Sequence, residues 1–171
     1  MLENLNSKKI ILASKSPRRQ ELLKGLDITF EIKTKEVDES YPADLIPENV
    51  PAYLAEKKAL AFTGDLSTDT IIITSDTIVI QEGEILEKPK SVNEAKTMIS
   101  QLANNAHVVV TGVCIQSKDK KVTFSSHTKV YFMPLTEEEI TYYVNKYQPF
   151  DKAGSYGVKE WIGYVGIERL E

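Results

Sequence analysis

Two adjacent arginines, Arg18 and Arg19, stand at the start of a predicted helix. Residues 10–13 are apolar and predict a strand, Ser16 is a suitable N-cap residue, and Pro17 suits the first helical position. The helix dipole is positive at this end, so two guanidinium groups there are unfavourable unless an anion is bound. The pattern predicts a phosphate-binding site, and the alternative is a pair of solvated arginines on a surface turn.

Asp76 interrupts a long, nearly continuous β-branched run. Residues 71–80 otherwise predict a buried central strand. A carboxylate inside such a strand is costly unless it is paired, protonated or bound to a metal. One interpretation is a carboxylate that accepts hydrogen bonds from neighbouring backbone N–H groups. The other is a metal ligand or general base at a strand end facing a cleft, with the hydroxyl of Thr77 beside it.

Several lysines add to this pattern. Lys57 and Lys58 fall on or beside the apolar face of a predicted helix, and helical geometry alone does not choose between them. Lys88 precedes Pro89, which favours an extended backbone, and Lys152 lies in a turn-rich segment. A single lysine is more often solvated than functional. Together with the paired arginines and the aspartate, these lysines indicate a cationic site for phosphate.

The side chains that are present exclude several catalytic classes. His107 and His127 are the only histidines and are expected to be structural, and the single Cys114 cannot form an internal disulfide. The sequence has no Cys/His metal spacing, nucleophile elbow, GxGxxG motif or P-loop. The candidate residues include many cations, few carboxylates and no protein nucleophile. This set suits hydrolysis of a phosphate by water with a hard divalent cation.

Length and charge narrow the class of protein further. The chain has 171 residues and a net charge of -4, which suits one domain, or two small lobes around one cleft, and argues against bulk binding to nucleic acid or membranes. No apolar run reaches membrane-spanning length, and residues 1–9 lack an apolar signal core. We therefore expect a cytoplasmic protein that binds neither nucleic acid nor a membrane.

Predicted strands and helices alternate along the chain, which is typical of an α/β fold with a mixed sheet. Arg19 is in register with three leucines of its helix, which predicts that this face points inward. Alternating apolar residues over 122–132 predict a half-buried strand. The predicted strands are 10–13, 30–35, 71–80, 85–86, 106–116, 122–132 and 163–170. Helices are predicted to begin at Pro17, at Pro47 (through about Phe62) and at the capping boxes 91–94 and 136–139.

Six motifs occur in order along the chain: LASKSPRR at 12–19, LAEKKA at 54–59, SDTIV at 75–79, EKP at 87–89, TGV at 111–113 and DKAGSYG at 151–157. In this order they resemble the Maf family of nucleoside-triphosphate pyrophosphatases, and the resemblance covers residues 1–171 as a single Maf-like domain. The first motif continues as QELL, which resembles the branch that acts on dTTP and UTP. The sister branch, which acts on other nucleotides including 7-methyl-GTP, has an aromatic residue there.

The resemblance implies an α/β fold of the ITPase-like anvil type. Such a fold has a twisted mixed sheet with flanking helices that form two lobes around a cleft. The implied reaction cleaves a nucleoside triphosphate between the α- and β-phosphates, with Mg²⁺ or Mn²⁺ as cofactor. The products are the nucleoside monophosphate and pyrophosphate. A homodimer, which is common among the relatives, is also expected.

The resemblance also assigns roles to individual residues. Asp76 is the catalytic residue, acting as general base or through the metal, and Asp76 and Glu39 are the expected metal ligands. Lys58, rather than Lys57, matches the helical lysine of the family. The expected substrate-binding residues are Ser14, Arg18, Arg19, Glu39, Lys58, Thr77, Lys88, Lys152 and Lys159.

Two features depart from the family pattern. Lys159 stands where this branch usually has Gln, and lysine only donates hydrogen bonds whereas Gln also accepts them. Members of the family usually continue with a Gly-Ser-x-x-x-Val-x-Gly-Leu-Pro segment and a final helix, whereas this sequence ends at Glu171. Two alternatives therefore stay open: a pyrophosphatase that prefers 7-methyl-GTP or another non-canonical nucleotide, and a nucleotide-binding regulator of septum formation without turnover.

Overall fold

Strands and helices alternate along residues 2–171, the part of the chain that this computed structural model describes. The strands are β1 (Lys9–Leu12), β2 (Glu31–Ile32), β3 (Thr70–Gln81), β4 (Glu84–Leu86), β5 (Ala106–Gln116), β6 (Lys121–Phe132) and β7 (Ile167–Leu170). The helices are α1 (Pro17–Lys24), α2 (Val50–Leu60), α3 (Val92–Leu102), α4 (Glu137–Tyr147) and α5 (Trp161–Val165). None of the helices within residues 2–171 is both long and apolar enough to span a bilayer.

The seven strands form one mixed sheet. Its order is β2-β1-β3-β5-β6-β7, and β4 pairs with β3 outside this path. Strand β1 is parallel to both β2 and β3, whereas β4 is antiparallel to β3 and β7 is antiparallel to β6. The predicted α/β fold with a mixed sheet and flanking helices is therefore confirmed.

The contacts within the chain define two compact units. The first unit comprises the residues up to Asp76 together with Thr111–Ser125, and its buried side chains include Ile11, Phe62 and Ile72. The second unit comprises Thr77–Val110 and Ser126–Glu171. Its core is larger and is formed by buried residues that include Val79, Ala95, Ile99, Leu102, Val130, Phe132, Ile140, Tyr143, Val144 and Ile162.

Two close contacts fix helix α2 within the first unit. A Cβ atom on Gly112 would lie 2.2 Å from the backbone nitrogen of Ala52, so strand β5 touches the helix backbone directly. The Thr74 hydroxyl of β3 donates to the carbonyl of Ala55 over 2.6 Å. Side chains of a strand alternate between its faces, so Asp76 projects towards α2 like Thr74, two residues earlier.

Most predicted elements are present, but the bounds of three differ by three residues or more. Strand β2 covers only Glu31–Ile32, and α2 begins at Val50 because Pro47–Asn49 forms a separate 3-10 helix. The predicted strand at 163–170 is wrong in its first part, which belongs to α5. A Cβ atom on Gly163 would lie 1.9 Å from the Val158 carbonyl oxygen, so glycine permits this helix to close against the preceding turn.

Two predicted buried faces are partly exposed. Leu22 of α1 and Leu26, two residues beyond its end, are 65% and 56% exposed, so the prediction that they share an inward-facing surface with Arg19 is wrong. In β6, Val130 is buried but Phe124 is 49% exposed, so only the second half of this strand buries its apolar side chains. Periodicity identifies the faces of an element, but it does not say which faces other elements cover.

Candidate active site

Asp76 lies beside a lysine of helix α2. Lys58 Nζ is 2.6 Å from Asp76 Oδ1 and 2.8 Å from Glu39 Oε1, so one ammonium group contacts both carboxylates. The side chains of Lys58 and Asp76 are 17% and 15% exposed, whereas that of Glu39 is 59% exposed. The aspartate is therefore paired within a largely buried environment, and Glu39 marks the solvent side of the cluster.

Arg19 adds a second cation to this cluster. Its guanidinium donates to the Ser75 carbonyl over 2.8 Å and reaches the Ser14 hydroxyl at 3.5 Å. Burial lowers the pKa of Arg19, the charges of Asp76 and Glu39 raise it, and the charge of Arg18 lowers it. These mutual effects arise only between groups that lie close together. The first unit thus brings Arg18 and Arg19 close to Asp76 and Glu39.

Helix α1 begins as predicted, with Ser16 as N-cap and Pro17 as the first helical residue. The Ser16 side chain makes no capping hydrogen bond, and the Ser16 backbone N–H donates instead to the Ser14 hydroxyl over 3.2 Å. Ser14 is buried, so this hydroxyl is held in place between the turn and Arg19. The turn therefore orients the start of α1 and both arginines.

The first unit therefore holds three cationic side chains close to two carboxylates. The cations are Arg18, Arg19 and Lys58, and the carboxylates are Asp76 and Glu39. The cations outnumber the carboxylates by one, which favours binding of an anion. Arginine forks and a helix N-terminus suit phosphate oxygens, and a carboxylate beside them can accept a proton or hold a metal ion.

Lys152 is held by carboxylates in the second unit. Its side chain is 9% exposed, and its Nζ lies 2.8 Å from Asp151 Oδ1 and 3.1 Å from Glu160 Oε1. Glu160 also accepts a hydrogen bond from the Tyr143 hydroxyl. Burial, together with this carboxylate, raises the pKa of Tyr143, so the phenol stays protonated and donates. Lys152 is thus an ordered cation with two acidic partners.

The segments of Lys88 and Lys152 are joined through their backbones. Gly154 N–H donates to the Glu87 carbonyl over 3.2 Å, one residue before Lys88. Gly154 has a φ of 67°, and a Cβ atom there would lie 2.9 Å from the Val79 side chain, so the turn requires glycine. Lys88 itself is exposed.

Lys159 and Thr77 complete the set of predicted residues. Lys159 is exposed in a turn of the second unit, and Thr77 is the residue that directly follows Asp76 in β3. Adjacent residues of a strand point to opposite faces, so Thr77 does not share the face of Asp76.

The two histidines both belong to the second unit. His107 is buried, and its Nε2 is 2.7 Å from the Tyr156 hydroxyl. Burial lowers the pKa of His107 to about 4, so the ring is neutral near pH 7. His127 is exposed on β6. The expectation of structural rather than catalytic histidines agrees with this environment.

The sequence did not predict several residues that contact the predicted site residues or their neighbours. Glu160 pairs with Lys152, Asp38 pairs with Lys57, and the Ser75 carbonyl accepts from Arg19. Asp38 had a signal, because it lies next to Glu39 in an acidic loop. The other two contacts depend on the path of loops and turns, which periodicity does not report.

The sequence profile of the family described as "Maf-like protein" matches residues 9–171. The chain belongs to the Maf family. Among curated Maf relatives, a "dTTP/UTP pyrophosphatase" from Porphyromonas gingivalis is 51% identical over 100% of this chain and 87% of its own length. One from Parabacteroides distasonis, with the same description, is 48% identical over 99% of this chain and 89% of its own length.

A solved structure shows a similar fold. "The structure of the Staphylococcus aureus Ham1 protein" aligns with a TM-score of 0.54 and 15% identity, over 73% of this chain and 72% of that one. At this level of identity the likeness concerns the fold alone. It places the mixed sheet and helices of this Maf chain in an architecture also found outside close sequence relatives.

Proposed function

We propose that this chain hydrolyses dTTP and UTP to the nucleoside monophosphate and pyrophosphate. The observation that carries the proposal is the placement of Asp76 and Glu39 on the single ammonium of Lys58, next to Arg19. Full-length relatives described as dTTP/UTP pyrophosphatases support the choice of substrates. The arginines at the start of α1 and the Ser14 hydroxyl bind phosphate oxygens, which agrees with their donor chemistry.

A divalent cation, Mg²⁺ or Mn²⁺, is part of the proposal. Within residues 2–171 no group of three or more His, Cys, Asp or Glu side chains could hold a metal ion. Magnesium is usually held by one or two carboxylates together with substrate phosphates, so the pair of Asp76 and Glu39 fits an ion that binds with the nucleotide. When bound, the ion neutralises charge on the phosphate oxygens.

Side chains of the protein carry out the proton transfer and stabilise the charge that develops during cleavage. Asp76 accepts a proton from water as the water oxygen forms a bond to the α-phosphorus. The bond between that phosphorus and the bridging oxygen breaks, and pyrophosphate leaves with the electron pair. Lys58 and Arg19 offset the negative charge that this step leaves on phosphate. Lys88, Lys152, Lys159 and Thr77 remain predicted substrate-binding residues.

A substrate panel tests the proposed function. We expect pyrophosphate release from dTTP and UTP with Mg²⁺ or Mn²⁺, with a higher kcat/KM than for 7-methyl-GTP, dITP or ATP. Chelation with EDTA is expected to abolish release, and added Mg²⁺ to restore it. A purine nucleotide with the highest kcat/KM would replace the pyrimidine assignment. Nucleotide binding by calorimetry without pyrophosphate at any metal concentration would instead support a regulator without turnover.

A further inference from the structure

We infer that Lys57 positions Glu39 for the reaction proposed above, by fastening the residues on both sides of Glu39 to helix α2. The inference rests on the proposed function, because it assumes that Glu39 contacts the metal or the substrate. The resemblance to the family gives a role to Lys58 and none to Lys57, so this role for Lys57 is an additional one.

Glu39 lies in a part of the chain without regular structure. Residues 33–42 form neither helix nor strand, so no ladder of backbone hydrogen bonds fixes this side chain. A group that contacts a metal or a phosphate must be held to within about 0.5 Å, and residues on loops reach this precision only through supporting contacts. The carboxylate of Glu39 is also largely exposed, so burial does not hold it either.

Lys57 supplies contacts to both neighbours of Glu39. Its Nζ lies 3.1 Å from Asp38 Oδ2, 2.8 Å from the Ser40 carbonyl oxygen and 3.3 Å from the Ser40 hydroxyl. The Asp38 carboxylate in turn accepts hydrogen bonds from the backbone N–H of Ser40, at 3.0 Å, and from its hydroxyl. One ammonium group thus closes a small ring of hydrogen bonds through Asp38 and Ser40, the residues before and after Glu39.

The next residue of the helix contacts Glu39 itself. Lys58 Nζ is 2.8 Å from Glu39 Oε1, so two consecutive lysines of α2 hold three consecutive residues of the loop. Further along, Lys35 donates to the Ala61 carbonyl over 2.9 Å, which ties the start of this loop to the end of α2. Exposed ion pairs such as Lys57–Asp38 contribute little to folding stability, so their main effect here is on orientation.

Replacing Lys57 with methionine tests the inference, because methionine keeps the length of the side chain and removes the ammonium. We expect Lys57→Met to lower kcat for dTTP about tenfold or more and to change KM less. Lys57→Arg should recover most of the loss, since a guanidinium can reach the same acceptors. Lys8→Met is the matched control: Lys8 pairs with Asp69 at 3.1 Å and also reaches a backbone carbonyl, and it should stay within about twofold of wild type.

A double-mutant cycle separates positioning from an independent role. Glu39→Gln removes the charge that Lys57 is inferred to position, so adding Lys57→Met to Glu39→Gln should cause little further loss. Losses that multiply would show that Lys57 acts independently of Glu39 and would overturn the inference. Equal kcat values for Lys57→Met and Lys8→Met would overturn it as well.

Hydrogen exchange supplies a readout that does not depend on turnover. Backbone amides of residues 36–41 should exchange faster in Lys57→Met and in Asp38→Asn than in wild type or Lys8→Met, at an unchanged Tm. Unchanged exchange in both variants contradicts the inference. Absence of turnover by the wild-type chain contradicts the proposed function alone, and the exchange data then still decide whether Lys57 holds this segment.

Discussion

At the residue scale, Lys58 is the contact point of the candidate site. Its ammonium group touches Asp76 and Glu39, which come from a strand and from a loop far apart in the sequence. Without this cation the two carboxylates would repel each other, and the largely buried Asp76 would lose an ionic partner. The arrangement places the Asp76 carboxylate next to Arg19, whose guanidinium suits phosphate.

Arg19 gives the sharpest test of an individual phosphate contact. A single guanidinium nitrogen, Nη1, contacts both the Ser75 carbonyl and the Ser14 hydroxyl, and a lysine lacks the planar fork with which a guanidinium binds two phosphate oxygens. We predict that Arg19→Lys raises KM for dTTP about tenfold, with the fold intact. Steady-state kinetics measure this effect, and Arg169→Lys on exposed β7 is the matched control. Equal KM values for the two variants would contradict the assigned contact.

At the element scale, the position of helix α2 decides which lysine meets Asp76. Successive helical residues are rotated by about 100°, so a rotation of α2 by that angle would exchange Lys57 and Lys58. The sequence motifs predicted the helix and the strand correctly but left this choice open on geometry alone. It is settled in the structure by Gly112 and Thr74, contacts from β5 and β3 that local periodicity does not contain.

Gly112 is therefore predicted to be a sensitive position. A Cβ atom there would lie 2.2 Å from backbone atoms of Pro51 and Ala52, which have no flexible end that could move aside. We predict that Gly112→Ala lowers the free energy of unfolding by about 3 kcal/mol. Urea denaturation measures this change. Gly64→Ala, where no atom lies within 4 Å of the added Cβ, should stay within about 0.5 kcal/mol of wild type, and equal effects would contradict the close approach.

Loops mark the limit of what the sequence predicts about the site. The α/β order and the central strand with Asp76 follow from local patterns, and both are present. The partners of Lys57 and Lys152 lie in loops and turns, where side-chain contacts rather than periodicity fix the backbone. Exposure of α1 could not be predicted either, because it depends on which faces other elements cover.

At the scale of the whole molecule, His107 couples folding to pH. Its pKa is lowered to about 4 in the folded chain, from 6.5 in an exposed histidine. Between these values the unfolded chain binds a proton that the folded chain does not, so stability falls as the pH drops from 6.5 towards 4. The difference of about 2.5 pKa units corresponds to a loss of about 3 kcal/mol at most.

The variant His107→Gln measures this contribution. It keeps a polar side chain near the Tyr156 hydroxyl but does not titrate, so its free energy of unfolding should fall less steeply between pH 6.5 and pH 4. Chemical denaturation at several pH values gives the slopes, and His127→Gln on exposed β6 should keep the wild-type slope. Parallel curves for wild type and His107→Gln would show that this histidine is not the origin of acid sensitivity.

We propose that Asp76, held by Lys58, takes the proton from the water that cleaves the nucleotide. The most direct measurement is pyrophosphate release from dTTP by wild type and Asp76→Asn, with Asp69→Asn as a matched control for the loss of one exposed carboxylate. We predict a loss of about a hundredfold or more in kcat for Asp76→Asn and a nearly unchanged kcat for Asp69→Asn. A kcat for Asp76→Asn equal to that of the control would contradict it.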